Sequence, residues 1–134
     1  MADVLIIDSD YPSRLTVKIA LKNQGFITDL SDNAEEALEK IRINHYNWIL
    51  CDLKMGEIDP VEISSKIKEM KPNIKIILTS NFMTIDEMKG AEFDTFIEKP
   101  INIVELTKII RSQDKGFKDK AKGFQIDLDI SVNQ

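Results

Sequence analysis

Three short runs of mostly aliphatic residues occur along the chain, and polar residues end each of them. The runs are Val4–Ile7, Trp48–Cys51 and Ile74–Leu78. An apolar run of four or five residues, rich in β-branched side chains, is typical of a strand that is covered on both faces, as in a parallel sheet. Two weaker runs, residues 26–30 and 95–97, predict strands at or near the edges of the same sheet.

Helical patterns fill the intervals between these runs. A capping side chain followed by proline predicts helix starts at Pro12 and Pro60, and Pro100 is interpreted as the start of the last helix. Ser31 or Asp32 is the expected N-cap of another helix. The apolar residues of that helix recur at the i, i+3, i+4, i+7 spacing of one helical face: Ala34, Ala37, Leu38 and Ile41.

Strands and helices alternate five times within about 112 residues, if a short and less regular helix over residues 84–91 is included. Such alternation implies right-handed crossovers and a parallel sheet between two layers of helices, which is an α/β fold. Ligands bind such sheets at the carboxyl ends of the strands. The residues that end each apolar run are therefore the candidates for a functional site, and residues 1–112 are predicted to form the domain that carries it.

The tail, residues 113–134, has a different composition. Its first part is polar and lysine-rich and is interpreted as a solvated linker, whereas apolar and polar residues alternate over 124–132, which predicts one more strand. A single strand buries almost nothing by itself and must pair with something. The segment is either an edge strand or disordered end of this domain, or else the start of a further domain or a dimer-forming arm.

Charge and cysteine content exclude several classes of function. Lys and Arg total 18 against 23 Asp and Glu, a formal net charge of −5, which argues against direct binding to nucleic acid or to an anionic membrane surface. Cys51 and His45 are the single members of their types, so neither an internal disulfide nor a zinc-type site is expected. No membrane-spanning run and no signal-peptide pattern is present, and we expect a cytoplasmic protein.

Oxygen-bearing side chains and one lysine follow the apolar runs: Asp8 and Asp10, then Asp52, then Thr79, then Lys99. Two neighbouring carboxylates repel each other unless a cation lies between them. Mg²⁺ suits such a place, because it prefers one or two carboxylates together with waters and a phosphate oxygen. Asp52 is the candidate nucleophile for an aspartyl phosphate, with the metal and Lys99 neutralising the phosphoryl charge. Asp10 is interpreted as a helix N-cap in preference to a ligand.

Four segments together resemble the receiver domain of two-component response regulators over about residues 2–112. The segments are residues 4–8, 48–55, 76–80 and 96–100. The resemblance implies a three-layer flavodoxin-like (βα)5 sandwich with a parallel five-stranded sheet of order 2-1-3-4-5. It also implies a phosphorelay signalling switch that is not an enzyme, apart from weak self-dephosphorylation. The implied partners are a sensor histidine kinase or a phosphotransfer protein.

The resemblance assigns the metal and the phosphoryl group to particular residues. Asp52 accepts the phosphoryl group from a histidine of the partner. Mg²⁺ is the implied cofactor, held by Asp8, Asp52 and the backbone carbonyl of Lys54. The family usually has two adjacent acids after the first strand, so Ser9 or Asp10 stands where a further ligand belongs. A hydroxyl is a poorer Mg²⁺ ligand than a carboxylate, and the affinity for the metal should be lower as a result.

The resemblance also assigns a conformational switch. Thr79 and Lys99 contact the phosphoryl group, and Thr79 and Phe96 are the switch residues. Their motions reshape the surface of the fourth helix, fifth strand and fifth helix, which is also the implied face of a homodimer.

Two other functions stay open. Ser9 and Gly56, which replaces the usual proline after Met55, favour a degenerate receiver that binds partners without phosphorylation. Asp8-Ser9-Asp10 also resembles the Asp-x-Asp motif of haloacid-dehalogenase-type phosphatases, in which Asp8 would be the nucleophile. Pro12, where that family has threonine or valine, and the lack of room for a cap domain disfavour this second alternative.

Overall fold

The computed structural model describes residues 2–53, 59–81 and 88–112. In these residues, five strands form one parallel sheet of order β2-β1-β3-β4-β5. The strands are β1 (Val4–Ile7), β2 (Thr28–Ser31), β3 (Trp48–Asp52), β4 (Lys75–Ser80) and β5 (Thr95–Glu98). The helices are α1 (Tyr11–Asn23), α2 (Ala34–Ile43), α3 (Pro60–Met70) and α4 (Ile103–Arg111). The predicted flavodoxin-like fold and its strand order are confirmed.

Two predicted elements lie wholly or partly outside the described residues. Half of the helix predicted over residues 84–91 falls in the gap at 82–87, and the tail at 113–134 lies wholly outside. None of the helices in the described ranges has the length and apolar character needed to cross a membrane.

Successive residues of the central strands point to opposite faces of the sheet, so a core forms on each face. Leu5 and Ile7 of β1 pack with residues from α2 and α3, whereas Val4 and Ile6 pack with residues from α1 and α4. Each of these four side chains is at most 1% exposed. The burial on both faces explains why the central strands have continuous apolar runs, and it holds their carboxyl ends at one fixed edge.

An aspartate or asparagine caps the start of each of these four helices: Asp10, Asn33, Asp59 and Asn102. The expected cap of α2 at Ser31 or Asp32 is wrong, because the Ser31 hydroxyl instead donates to the backbone carbonyl of Asn33 and to Glu36. The Asn33 side chain accepts from the Glu36 N–H at 2.7 Å and so caps the helix.

The last helix begins three residues later than predicted. Pro100 was interpreted as its first residue, but the Lys99–Pro100 peptide bond is cis and Pro100 precedes the helix. The side chain of Asn102 accepts a hydrogen bond from the Glu105 N–H at 3.0 Å, and this cap fixes the start of α4 at Ile103.

β2 is the outer strand on one side of the sheet. The carbonyls of Ile27 and Ser31 accept hydrogen bonds from residues in or next to β1, so the carbonyl of Leu30 faces the open side. Lys40 of α2 donates its ammonium to that carbonyl. A second contact ties this strand to the loop before β3, where the buried Tyr46 donates its hydroxyl to Asp29 at 2.6 Å.

Candidate functional site

The carboxyl ends of three strands bring Asp8, Asp52 and Thr79 to one edge of the sheet. Asp8 directly follows β1, and Asp52 at the end of β3 is paired in register with Thr79 of β4. Asp8 and Asp52 are each 4% exposed and Thr79 is 1% exposed. Buried carboxyl groups need partners, because removing them from water is costly.

Lys99 supplies the cation for both carboxyl groups. Its Nζ lies 2.8 Å from Asp52 Oδ2 and 3.4 Å from Asp8 Oδ2. The residue directly follows β5, and its backbone N–H donates to the carbonyl of Ser80 at 3.0 Å. The sheet therefore carries the ammonium to the same edge as the two acids.

Hydrogen bonds and charge determine the ionisation of this cluster. Burial acts to raise the pKa of Asp8, but hydrogen bonds from Ser13 and from the Asp10 N–H, together with the Lys99 charge, outweigh burial, and the pKa is lowered. Burial acts to lower the pKa of Lys99, but the hydrogen bond to Asp52 and the charges of Asp52 and Asp8 raise it. Asp8 and Lys99 are thus both charged at neutral pH.

The hydroxyl of Thr79 is a buried polar group without a hydrogen-bond partner among the residues that the structure describes. Such groups are rare in native proteins, because an unpaired buried hydroxyl is destabilising. Its position beside Asp52 in the sheet makes it available to an oxygen that arrives at Asp52.

Neither Ser9 nor Asp10 contributes an oxygen to this cluster. Both residues are exposed. The Asp10 carboxylate accepts the backbone N–H of Ser13 at 2.9 Å and caps α1, while its own N–H donates to Asp8 Oδ1 at 2.9 Å. Lys54, whose backbone carbonyl is the remaining predicted metal ligand, lies outside the described residues, as does Gly56.

Two residues of the first turn of α1 reach the site although the sequence analysis did not select them. Arg14 donates its guanidinium to the backbone carbonyl of Asp8 at 2.7 Å and lies over the ring of Tyr11. The Ser13 hydroxyl lies 3.4 Å from Lys99 Nζ. The available signal was positional, since residues three and four after the cap Asp10 return to the side of the helix that faces the end of β1.

Phe96 and Cys51 lie in the strands that lead to the site. Phe96, in register with Leu78 of β4, is partly buried against the core on the α2 and α3 face. Cys51 is fully buried, and burial, followed by the charges of Asp52 and Asp8, raises the pKa of its thiol to about 12. Cys51 is thus a buried core residue whose thiol is protonated at neutral pH.

The donors in the cluster fit a hard divalent cation of the Mg²⁺ type. Within the described residues no group of three or more His, Cys, Asp or Glu side chains could hold a metal. Mg²⁺ does not need such a group, because it commonly binds one or two carboxylates and keeps several waters. The two buried carboxyl groups of Asp8 and Asp52 match that requirement, and Thr79, whose hydroxyl has no partner among the described residues, is paired in register with Asp52.

Two curated proteins illustrate the similarity in sequence. The chain is 29% identical over 108 residues to the transcriptional regulatory protein ZraR of Klebsiella oxytoca, covering 78% of this chain and 24% of that protein. It is 29% identical over 135 residues to the response regulator ArlR of Staphylococcus saprophyticus, covering 96% of this chain and 61% of that protein. The chain therefore spans between about a quarter and three fifths of the length of these relatives.

Solved structures show the same fold. A CheY-like response regulator receiver domain protein from Methanospirillum hungatei JF-1 superposes with a TM-score of 0.78 at 24% identity, over 92% of this chain and 98% of that one. The receiver domain of sensor histidine kinase PA1611 from Pseudomonas aeruginosa PAO1, which has a magnesium ion coordinated in its active site cleft, gives 0.74 at 17% identity, over 82% and 94%. The response regulator receiver domain family model matches residues 4–111. The chain thus belongs to the response regulator receiver domain family.

Proposed function

We propose that this protein is a phosphoacceptor switch of a two-component phosphorelay, with Asp52 as the residue that accepts the phosphoryl group. The observation that carries the proposal is the position of Lys99, whose ammonium bridges the buried carboxyl groups of Asp52 and Asp8. An ammonium beside a buried carboxylate nucleophile can neutralise the charge that a phosphoryl group brings to it. The family assignment supports a signalling role of this kind.

The transfer step moves one phosphoryl group and needs no redox partner. A carboxylate oxygen of Asp52 attacks the phosphorus of a phosphohistidine on a sensor kinase or phosphotransfer protein. The new bond is the P–O bond to Asp52, and the bond that breaks is the P–N bond to the imidazole, which leaves with the bonding electrons and takes up a proton. Lys99 and the Thr79 hydroxyl then serve as donors to the phosphoryl oxygens.

Mg²⁺ is the proposed cofactor, held by Asp8, Asp52 and the backbone carbonyl of Lys54. When bound, it neutralises negative charge on the phosphoryl group. The magnesium ion in the PA1611 receiver domain, which has the same fold, supports this choice of metal. Asp8 is prepared for the role because its lowered pKa keeps it ionised.

The output is proposed to be a change of surface. Thr79 bonds the phosphoryl group, and Phe96 of β5 adjusts its packing in response. The affected face comprises residues 84–91, β5 and α4, and it is also the proposed face of a phosphorylation-dependent homodimer. We assign residues 1–112 to the receiver domain and residues 113–134 to a linker and tail, in which 124–132 have the alternating sequence pattern of a strand, and we propose the cytoplasm as the location. The protein is proposed to act as a switch and not as an enzyme, apart from weak self-dephosphorylation.

Phosphorylation with a small donor tests the proposal directly. The protein is incubated with acetyl phosphate and Mg²⁺, and its intact mass is measured with time. We expect a gain of one phosphoryl group that is lost in Asp52→Asn and retained in Asp32→Asn, a matched control at an exposed aspartate. A wild-type protein that gains no mass at saturating Mg²⁺ would refute the phosphoacceptor function.

A degenerate receiver that binds partners without phosphorylation is the second candidate, and one observation favours it. Ser9 is exposed and the Asp10 carboxylate caps α1, so the segment after β1 offers Asp8 as its one carboxylate ligand. Calorimetric titration with Mg²⁺ separates the two candidates. No measurable binding at millimolar Mg²⁺, together with no phosphorylation, is the result expected of the degenerate receiver.

A further inference from the structure

The first turn of α1 places a hydroxyl beside the bridging lysine. Ser13 Oγ lies 3.4 Å from Lys99 Nζ, although the two residues are 86 positions apart in the chain. A hydroxyl oxygen has lone pairs that accept hydrogen bonds, so Ser13 Oγ can accept one from the Lys99 ammonium.

Hydrogen bonds hold the backbone that carries this hydroxyl. Asp10 accepts the N–H of Ser13 at 2.9 Å, and the N–H of Asp10 in turn donates to Asp8 Oδ1. Pro12 stands immediately before Ser13 in the first turn of the helix and restricts the backbone there. Asp8, Asp10 and Ser13 therefore form one hydrogen-bonded unit, and Ser13 cannot move relative to Asp8 without breaking the helix cap.

The ammonium of Lys99 has three N–H groups, and the structure provides three oxygen acceptors. These are Asp52 Oδ2 at 2.8 Å, Asp8 Oδ2 at 3.4 Å and Ser13 Oγ at 3.4 Å. The Lys99 side chain is 14% exposed, so its ammonium depends on such acceptors in place of water. Ser13 differs from the other two because it is neutral and is not a proposed metal ligand.

We propose that Ser13 is a positioning residue that holds the Lys99 ammonium facing Asp52. The proposal rests on the function assigned above to Asp52 and Lys99. If Asp8 held Mg²⁺, Lys99 would lose one of its three acceptors, and the Ser13 hydroxyl would keep the ammonium close to Asp52. Ser13 thereby supports phosphoryl transfer through Lys99 without contacting the phosphoryl group.

Kinetics of phosphorylation test the role. With acetyl phosphate at saturating Mg²⁺, Ser13→Ala should lower the rate constant by about fivefold, the size expected for the loss of one hydrogen bond. Ser13→Thr keeps the hydroxyl and should restore the rate, and Thr16→Ala, at an exposed position of the same helix, is the matched control. In a Lys99→Ala background, Ser13→Ala should have no further effect. An equal effect with and without Lys99 would overturn the proposal.

A second readout does not depend on phosphorylation. In protein with ¹³C-labelled lysine, the two ε-methylene protons of a side chain held in one orientation give separate NMR signals, and Lys99→Arg identifies those of Lys99. We expect the separation to shrink in Ser13→Ala and to persist in Ser13→Thr and Thr16→Ala. Unchanged signals in Ser13→Ala would overturn the proposal. If the wild-type protein accepts no phosphoryl group but the signals change as expected, the phosphoacceptor function fails and the positioning of Lys99 stands.

Discussion

The ammonium of Lys99 lies 2.8 Å from Oδ2 of Asp52, a residue 47 positions earlier in the chain. Asp52 ends β3 and Lys99 follows β5, with β4 between the two strands in the sheet. The ion pair therefore forms only once β3, β4 and β5 have been assembled side by side in the sheet. The site is a product of the whole fold, and no single segment of the chain contains it.

Replacing Lys99 should destabilise the protein in a way that Mg²⁺ reverses. Lys99→Met leaves the buried carboxyl groups of Asp8 and Asp52 without their cation, and the expected loss is about 1–3 kcal/mol of unfolding free energy at pH 7. A divalent cation at the same carboxyl groups replaces the missing charge. Urea denaturation with and without Mg²⁺ at a concentration of about 10 mM measures both effects. A variant whose stability does not respond to Mg²⁺ would contradict the proposed metal site.

Substitutions at Asp10 and Asp8 should distinguish a structural carboxylate from a metal-binding one. Asp10→Ala removes the cap of α1 and should cost about 1 kcal/mol of stability, while Mg²⁺ affinity stays within about twofold of wild type. Asp8→Asn should weaken Mg²⁺ binding by about tenfold or more, because a charged ligand is lost. Thermal unfolding measures the change in stability, and calorimetric titration measures the change in Mg²⁺ affinity. A large loss of Mg²⁺ affinity in Asp10→Ala would place its carboxylate at the metal instead.

Thr79→Val should improve stability and impair function. The Thr79 hydroxyl is buried without a partner among the described residues, so the nearly isosteric valine removes an unsatisfied group. Unfolding free energy should be unchanged or higher by about 1 kcal/mol. Phosphorylation of Asp52 should be slower and the surface response lost, whereas Thr79→Ser should retain both. A destabilised Thr79→Val protein would show that the hydroxyl has a structural partner.

Tyr46 should make stability depend on pH in the alkaline range. Burial, and then the hydrogen bond and charge of Asp29, raise the pKa of Tyr46 above its ordinary value of 10.0. A raised pKa in the folded state means that the stabilisation is fully present below pH 10 and is lost as the pH rises further. Tyr46→Phe should cost about 1 kcal/mol at pH 7 through the lost bond to Asp29.

Chemical denaturation of both proteins between pH 7 and 11 provides the test for Tyr46. The stability difference between wild type and Tyr46→Phe should narrow above pH 10, since lysines titrate equally in both. A constant difference over the whole range would mean that the hydroxyl is not ionised differently in the folded and unfolded states.

Much of the fold follows from short-range pattern. β1 was predicted with its observed bounds, Val4–Ile7, because both of its faces are buried and the apolar run is continuous. The strand predicted over residues 26–30 starts two residues and ends one residue before the observed β2, Thr28–Ser31. An edge strand with half-buried Thr28, Asp29 and Leu30 has no continuous apolar run that would mark its bounds. The cap of α2 was wrong because several adjacent polar residues could each cap a helix, and the choice depends on where the Ser31 hydroxyl bonds.

The sequence predicts those residues of the site that lie at the ends of the predicted strands. Asp8, Asp52, Thr79 and Lys99 follow apolar runs, and parallel strands bring such ends together. The spacing of Ser13 from the cap Asp10 indicates that it faces the end of β1, but it does not indicate a contact with Lys99. That contact joins residues 86 positions apart and depends on how α1 packs against the sheet.

The contact between Lys40 and the Leu30 carbonyl has a consequence for how copies of this protein meet in solution. An unprotected outer strand is a template on which another chain can add its own strand and begin an aggregate. Here a positive charge already occupies an acceptor on that border, and an incoming backbone would have to displace it. The Lys40 contact thus protects this edge of the sheet against strand addition by a second copy of the chain.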